Sequence, residues 1–153
     1  YKVTQSPKSE FAAFDNGSEM SAPKTAGTVT VEGKTNSSKL TFAWAGSVTD
    51  VTLPAKYSAN GTQINNAATI TGDPGATAEF PFSIELEFPA NETIEEITRT
   101  LKVTANGGQA AQIAIKQAAG DATLSVSPTE ITIPQSGSAV SVNVTSNTSW
   151  TAA

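Results

Sequence analysis

The sequence contains no cysteine and no histidine. Those two absences exclude disulfide staples, thiolate zinc sites, cysteine nucleophiles and Ser-His-Asp triads. Positive charge is also scarce: 9 Lys and Arg stand against 14 Asp and Glu, a formal net charge of -5. A chain with this balance offers no footprint for a phosphate backbone and no basic patch for an anionic membrane surface, so a nucleic-acid partner is not expected. No run of 18 apolar residues occurs, so membrane insertion is not expected either. A basic, then apolar, leader is missing, and the chain opens at Tyr1. The expectation is a mature or excised piece of something longer. Without cysteine, the usual clue to the redox compartment is gone.

What is abundant points one way. Thr (22) and Ser (16) make up about a quarter of the residues, Leu appears only 5 times, and Gly and Pro together number 19 (11 and 8). Much Thr, Val and Ile with frequent turn residues suits an all-β extracellular module. N-x-[S/T] triplets, those at Asn36, Asn60, Asn91, Asn143 and Asn147 among them, are expected by chance in such a composition.

An internal repeat organises the chain. Pro23-Lys24-Thr25-Ala26-Gly27-Thr28-Val29-Thr30-Val31 resembles Pro134-Gln135-Ser136-Gly137-Ser138-Ala139-Val140-Ser141-Val142 at an offset of 111. The same offset carries Asn36-Ser37-Ser38 onto Asn147-Thr148-Ser149. Upstream, Ser6-Pro7 resembles Ser127-Pro128 at 121, which implies about ten additional residues in the first copy's opening loop. The expected organisation is one whole unit, 1–120, followed by the incomplete beginning of a second, 121–153.

Alternation of apolar and polar residues marks the strands. In 79–88, Phe80, Phe82, Ile84, Leu86 and Phe88 face one way and Glu79, Pro81, Ser83, Glu85 and Glu87 the other. That is a half-buried strand, with Pro81 suggesting a partly unpaired outer edge. Residues 97–104 place Ile97, Leu101 and Val103 on one face, and Arg99 shares their phase. Residues 110–117 follow through Ile113 and Ile115, after the hairpin signal Asn106-Gly107-Gly108. Shorter strands are expected at Val29–Val31, Leu40–Trp44, Val51–Leu53 and Ala68–Ile70. Turns every 10–15 residues or so predict an all-β, two-sheet antiparallel sandwich of about seven strands, with a partial second sandwich behind it.

These residues resemble a known family. Asn91, Arg99-Thr100-Leu101-Lys102-Val103-Thr104, Gly107-Gly108 and Ala111-Gln112-Ile113-Ala114-Ile115-Lys116-Gln117-Ala118 look like the closing half of a BACON-type domain, the Bacteroidetes-associated carbohydrate-binding, often N-terminal module. Leu124-Ser125-Val126-Ser127-Pro128, Gly137, Val140–Val144, Ser146-Asn147 and Trp150 look like its opening half. The resemblance implies an immunoglobulin-like sandwich, often in tandem, on an exported protein at the outer surface or in the periplasm of a Gram-negative bacterium, with a phage particle as a second setting. It also implies either a spacer that presents neighbouring domains or a module that binds glycans or mucin.

Each candidate site has a bland counterpart. Tyr57, in the loop expected over Ala55–Gln63, and Trp150 are the candidate ligand-binding residues, because an exposed aromatic face suits a pyranose ring. Trp44 runs in phase with Leu40 and Phe42, so a structural, core role is expected. Arg99 is expected to form a structural ion pair, with a glutamate as partner. The turn Gly72-Asp73-Pro74-Gly75 lacks the oxygen density of a calcium loop. Glu92, Glu95 and Glu96 share one loop and do not face each other across a cleft. No catalytic residue, metal or cofactor is expected, and the chain does not read as an enzyme. Residues 121–153 carry eight large apolar side chains, too few to order that segment alone. The tail is therefore expected to form a hairpin-like extension that borrows a partner, with strand-mediated self-association through 121–153, as in a strand-exchanging subunit of a surface or phage assembly, as one outcome.

Overall fold

A computed structural model describes all 153 residues. It contains eleven strands rather than seven, and one short 3-10 turn at Pro74–Ala76. The long strands fall where alternation is longest: β3 (Gly27–Thr35), β4 (Leu40–Ala45), β7 (Phe80–Phe88), β8 (Ile97–Ala105) and β9 (Ala110–Gln117). The additional ones are short: β1 (Ala12–Phe14), β2 (Glu19–Ala22), β5 (Lys56–Ala59) and β6 (Thr62–Asn65), with β10 (Leu124–Ser127) and β11 (Asn143–Ser146) in the tail. Three or four residues show too few alternations to stand out in the sequence. The β5–β6 hairpin did carry a signal, Asn60-Gly61. Both residues adopt positive φ (49° and 78°), which the two-residue turn between antiparallel strands requires.

Two expected strands are absent. Residues 51–53 and 68–70 form no strand, although Val51 and Ile70 are buried. Val51 sits in a loop whose carbonyl accepts the Trp44 indole N–H at 3.1 Å. Thr69 makes only an isolated bridge to Lys39. Burial therefore produced their apolar pattern without a ladder.

The strands form two sheets that pack face to face. One has the order β1-β3-β7-β5-β6, the other β2-β9-β8-β4. All pairings are antiparallel except β2–β9, which is parallel and sets Glu19 beside Ala114 and Ala22 beside Gln117. The longest ladder joins β3 to β7, from Gly27↔Phe88 to Thr35↔Phe80. β7 is thus a central strand, and the partly unpaired edge that Pro81 suggested is its far side. On its other side β5 pairs with it only at Phe82 and Ser83.

The core follows from the alternation. Val29 and Val31 of β3 and Phe80, Phe82, Ile84, Leu86 and Phe88 of β7 face Leu40, Phe42, Leu101, Val103, Ile113 and Ile115 of the second sheet, all buried. Phe42 and Phe82 meet edge to face at 5.7 Å across the interior. Gly33 makes room for the ring: a Cβ there would lie 2.3 Å from Phe82 and 2.3 Å from the Ala13 carbonyl oxygen. Gly33→Ala is expected to cost about 2 kcal/mol, because β1 and the Phe82 ring would both have to shift. A chemical denaturation midpoint close to that of the parent chain would contradict this account.

The tail behaves differently. β10 and β11 pair with each other as a separate two-stranded sheet, from Leu124↔Ser146 to Ser127↔Asn143. Leu124, Val126, Ile131, Ile133, Val140, Val142 and Trp150 are all exposed.

Candidate functional site

Of the two expected ligand contacts, the structure removes one. Tyr57 lies in β5, not in a loop, and is only 1% exposed. Its ring packs 4.9 Å from that of Phe42. The alternation of β5 explains this, since Tyr57 and Ala59 point inward while Lys56 and Ser58 do not. Burial pushes its phenol up to about 12, and proximity to the Leu40 backbone offsets only part of that rise. The hydroxyl makes no hydrogen bond. Tyr57→Phe is therefore expected to raise stability by about 0.5–1 kcal/mol by removing an unpartnered buried hydroxyl. Loss of stability in equilibrium denaturation would show that the hydroxyl has a partner. Trp150, by contrast, is 50% exposed beyond β11. Trp44 packs against the core from β4, partly buried.

Arg99 is buried as its phase requires, but its ion-pair partner is Asp50 rather than a glutamate. Its Nε donates to Asp50 Oδ1 at 3.1 Å, its second terminal nitrogen to Asp50 Oδ2, and its first to Gln117 Oε1 at 3.0 Å. The guanidinium carbon stands 4.7 Å from the Phe88 ring centroid. Gln117 in turn donates to the Pro89 carbonyl at 2.8 Å. One cation therefore ties the β4–β5 loop, β8, β9 and the end of β7 together. Asp50 and Gln117 were not singled out in the sequence for this. Gln117 carries the same signal as Arg99, a polar residue in the inward phase of its strand. Asp50 lies in a loop, where no periodicity exists to mark it.

The Arg99 hydrogen bonds hold the Asp50 carboxyl below its ordinary value, outweighing partial burial. A depressed carboxylate stabilises the fold fully above its unfolded value, near about 3.9, and that contribution fades as pH falls through the lower folded value. Asp50→Asn is expected to cost about 2 kcal/mol near neutral pH, less than a fully buried pair because the carboxylate is half solvated. The gap in thermal midpoint between variant and parent should narrow as pH falls below about 4. A gap that stays constant over that range would contradict the ion-pair account.

The opposite end of the sandwich is held by Glu10. Its carboxylate accepts from the Ser38 N–H at 2.7 Å, the Ser38 hydroxyl at 2.9 Å and Asn106 Nδ2 at 2.9 Å. Burial pushes this carboxyl up, and the donated bonds outweigh it, so the net direction is down. Asn91 is also buried, and its Nδ2 donates to the Glu95 and Ala118 carbonyls at 2.7 and 3.0 Å. That amide is committed to the fold.

No cleft brings reactive groups together. Glu92, Glu95 and Glu96 are exposed, and no group of three or more acidic side chains converges as a metal site. No helix is long and apolar enough to cross a membrane. An open groove of about 620 Å³ runs over β5–β7, bordered by Lys56, Ser58, Gln63, Ser83, Glu85 and Glu87. Its one aromatic neighbour, Tyr57, keeps its ring inside the core. A second groove, of about 550 Å³, lies where the tail leaves the sandwich. There Lys24 pairs with Asp121, and Asn147 Nδ2 donates to the Glu92 carbonyl at 2.9 Å.

The tail itself carries the most informative geometry. Four hydrogen bonds around Asn36 recur around Asn147. Phe11 N–H donates to Asn36 Oδ1 at 2.9 Å, and Thr123 N–H to Asn147 Oδ1 at 2.8 Å. Asn36 Nδ2 donates to the Ser9 carbonyl at 2.9 Å, and Asn147 Nδ2 to that of Asp121 at 2.8 Å. Thr35 Oγ1 donates to the Phe11 carbonyl, and Ser146 Oγ to that of Thr123. Ser37 N–H donates to Thr35 Oγ1, and Thr148 N–H to Ser146 Oγ. The strand registers match as well: Ala12↔Thr35 and Phe14↔Gly33 correspond to Leu124↔Ser146 and Val126↔Val144. The offset is 111 on the second strand and 112 on the first. This corrects the offset of 121 read from Ser6-Pro7, and with it the ten-residue insertion.

No protein-family model matches the chain, and no curated protein matches it.

Proposed function

We propose that the chain is a non-catalytic, immunoglobulin-like module of an exported bacterial surface protein, of the BACON type that its motifs resemble, and that it spaces or presents neighbouring domains of the same polypeptide. The observation that carries this reading is the duplicated hydrogen-bond set at Asn36 and Asn147. It supports reading 121–153 as the opening of a second unit built like the first. A further match supports it. The offset of 112 also sets Tyr1-Lys2-Val3-Thr4-Gln5 beside Ile113-Ala114-Ile115-Lys116-Gln117, apolar for apolar and Gln for Gln. Tyr1 and Val3 are exposed, whereas Ile113 and Ile115 are fully buried in β9. In this reading Tyr1–Gln5 repeats the sequence pattern of β9.

A presenter needs stiffness and ordered joints more than a pocket. The joint between the first unit and the tail is held by the Lys24–Asp121 ion pair and by the bond from Asn147 to Glu92. Solution scattering from a chain of several consecutive units is expected to give an extended profile whose maximum dimension grows with each unit. A compact particle of unchanged length would count against the spacer role. Glycan binding is the second reading, favoured by the exposed Trp150. On a glycan array the spacer reading expects no signal, whereas binding that disappears in Trp150→Ala would favour the second.

A further inference from the structure

A strand is only as long as its partners. In the sandwich, β1 covers β3 only at Gly33–Thr35, whereas β7 covers all of it, from Gly27 to Thr35. The first six residues of β3 therefore owe their strand geometry to β7. Shifted by 111, those residues become 138–143. In the tail β11 spans only Asn143–Ser146, and 138–142 form no strand. The part missing from β11 is the part whose counterpart is held by β7 alone. Burial follows the same line. Val29 and Val31 are 7% and 1% exposed, and their counterparts Val140 and Val142 are 41% and 38% exposed.

We propose that Ser138–Ser146 is an acceptor slot for one antiparallel strand of the β7 pattern, large aliphatic residues alternating with polar ones. This rests on the reading of 121–153 as the opening of a second unit. The occupant is specified by the pairing in the first. Gly27↔Phe88, Val29↔Leu86, Val31↔Ile84 and Gly33↔Phe82 transfer to Ser138, Val140, Val142 and Val144. The incoming strand thus sets aliphatic side chains opposite Val140 and Val142. One position must differ from β7. Phe82 lies over Gly33, where no Cβ fits, and the tail has Val144 there. The residue opposite Val144 is therefore smaller than Phe. The fit is by main-chain hydrogen bonds along the strand and by the aliphatic face for phase.

The whole chain tests this with a tethered donor. A copy of Glu79–Phe88 carrying Phe82→Val is appended after Ala153 through about ten Gly and Ser residues, enough to reach Ser146 and turn back. Amide hydrogen exchange is then compared with that of the unmodified chain. The expected result is at least about tenfold slower exchange within 138–143, lost when Val142→Asp is introduced. A donor that retains Phe82, or one whose pattern is shifted by a single residue, is expected to protect less. Exchange within 138–143 that does not change on tethering, with Thr123 still protected by Asn147, overturns the slot alone. Loss of protection at Thr123 in the unmodified chain overturns the second-unit reading together with the slot. Equal protection by the phase-shifted donor overturns the assigned register.

Discussion

The ladder between β3 and β7 is the constraint on which the rest depends. Nine consecutive pairs bind two strands that lie far apart in the chain, and their inward faces supply Val29, Val31, Phe80, Phe82, Ile84, Leu86 and Phe88 to the core. Such a pairing closes a long loop, whose entropy must be recovered from apolar burial. Everything on either side is short by comparison. β1 adds three pairs, and β5 adds two. The second sheet then needs only to cover one continuous aromatic and aliphatic face. In the tail the same opening hairpin exists, but no second long strand lies beside it. Its valines stay in solvent as a result.

Polar residues close the two ends of this interior. At one end every guanidinium nitrogen of Arg99 is bonded: two bonds to Asp50, one to Gln117, and the Phe88 ring beside it. A buried guanidinium is tolerated because each of its three nitrogens has a hydrogen-bond partner and its charge is balanced by a carboxylate whose other side meets water. At the other end Glu10 gathers Ser38 and Asn106. These contacts join loops to strands, and none leaves a convergent, unoccupied set of polar groups.

The sequence disclosed the long strands and little of the short ones. β7, β8 and β9 show several alternations each, and the structure follows them to within a residue or two. β1, β2, β5 and β6 are too brief for a period to register, and their strand character comes from a neighbour already in place. Val51 and Ile70 misled for the opposite reason. They are apolar because they are buried, and burial in a loop looks the same in sequence as burial in a ladder. Tyr57 looks like a loop residue from its immediate neighbours, but the Asn60-Gly61 turn closes a hairpin over it, and the inward phase of Tyr57 follows from that hairpin. Arg99 was legible from its phase, but its partner was not, since Asp50 comes from a loop 49 residues away. The likeness of 23–38 to 134–149 shows in the residues, while the offset of 112 between the strands β1 and β10 required the registers and hydrogen bonds.

The parallel pairing of β2 with β9 carries a mechanical consequence. These strands lie near opposite ends of the unit, at Glu19–Ala22 and Ala114–Gln117, and run in the same direction. A pull on the two ends of the unit drags β2 toward its start and β9 toward its finish. The bonds between them are then strained in shear, together, instead of being unzipped one after another. Stretching the chain between these two strands would load this seam in shear.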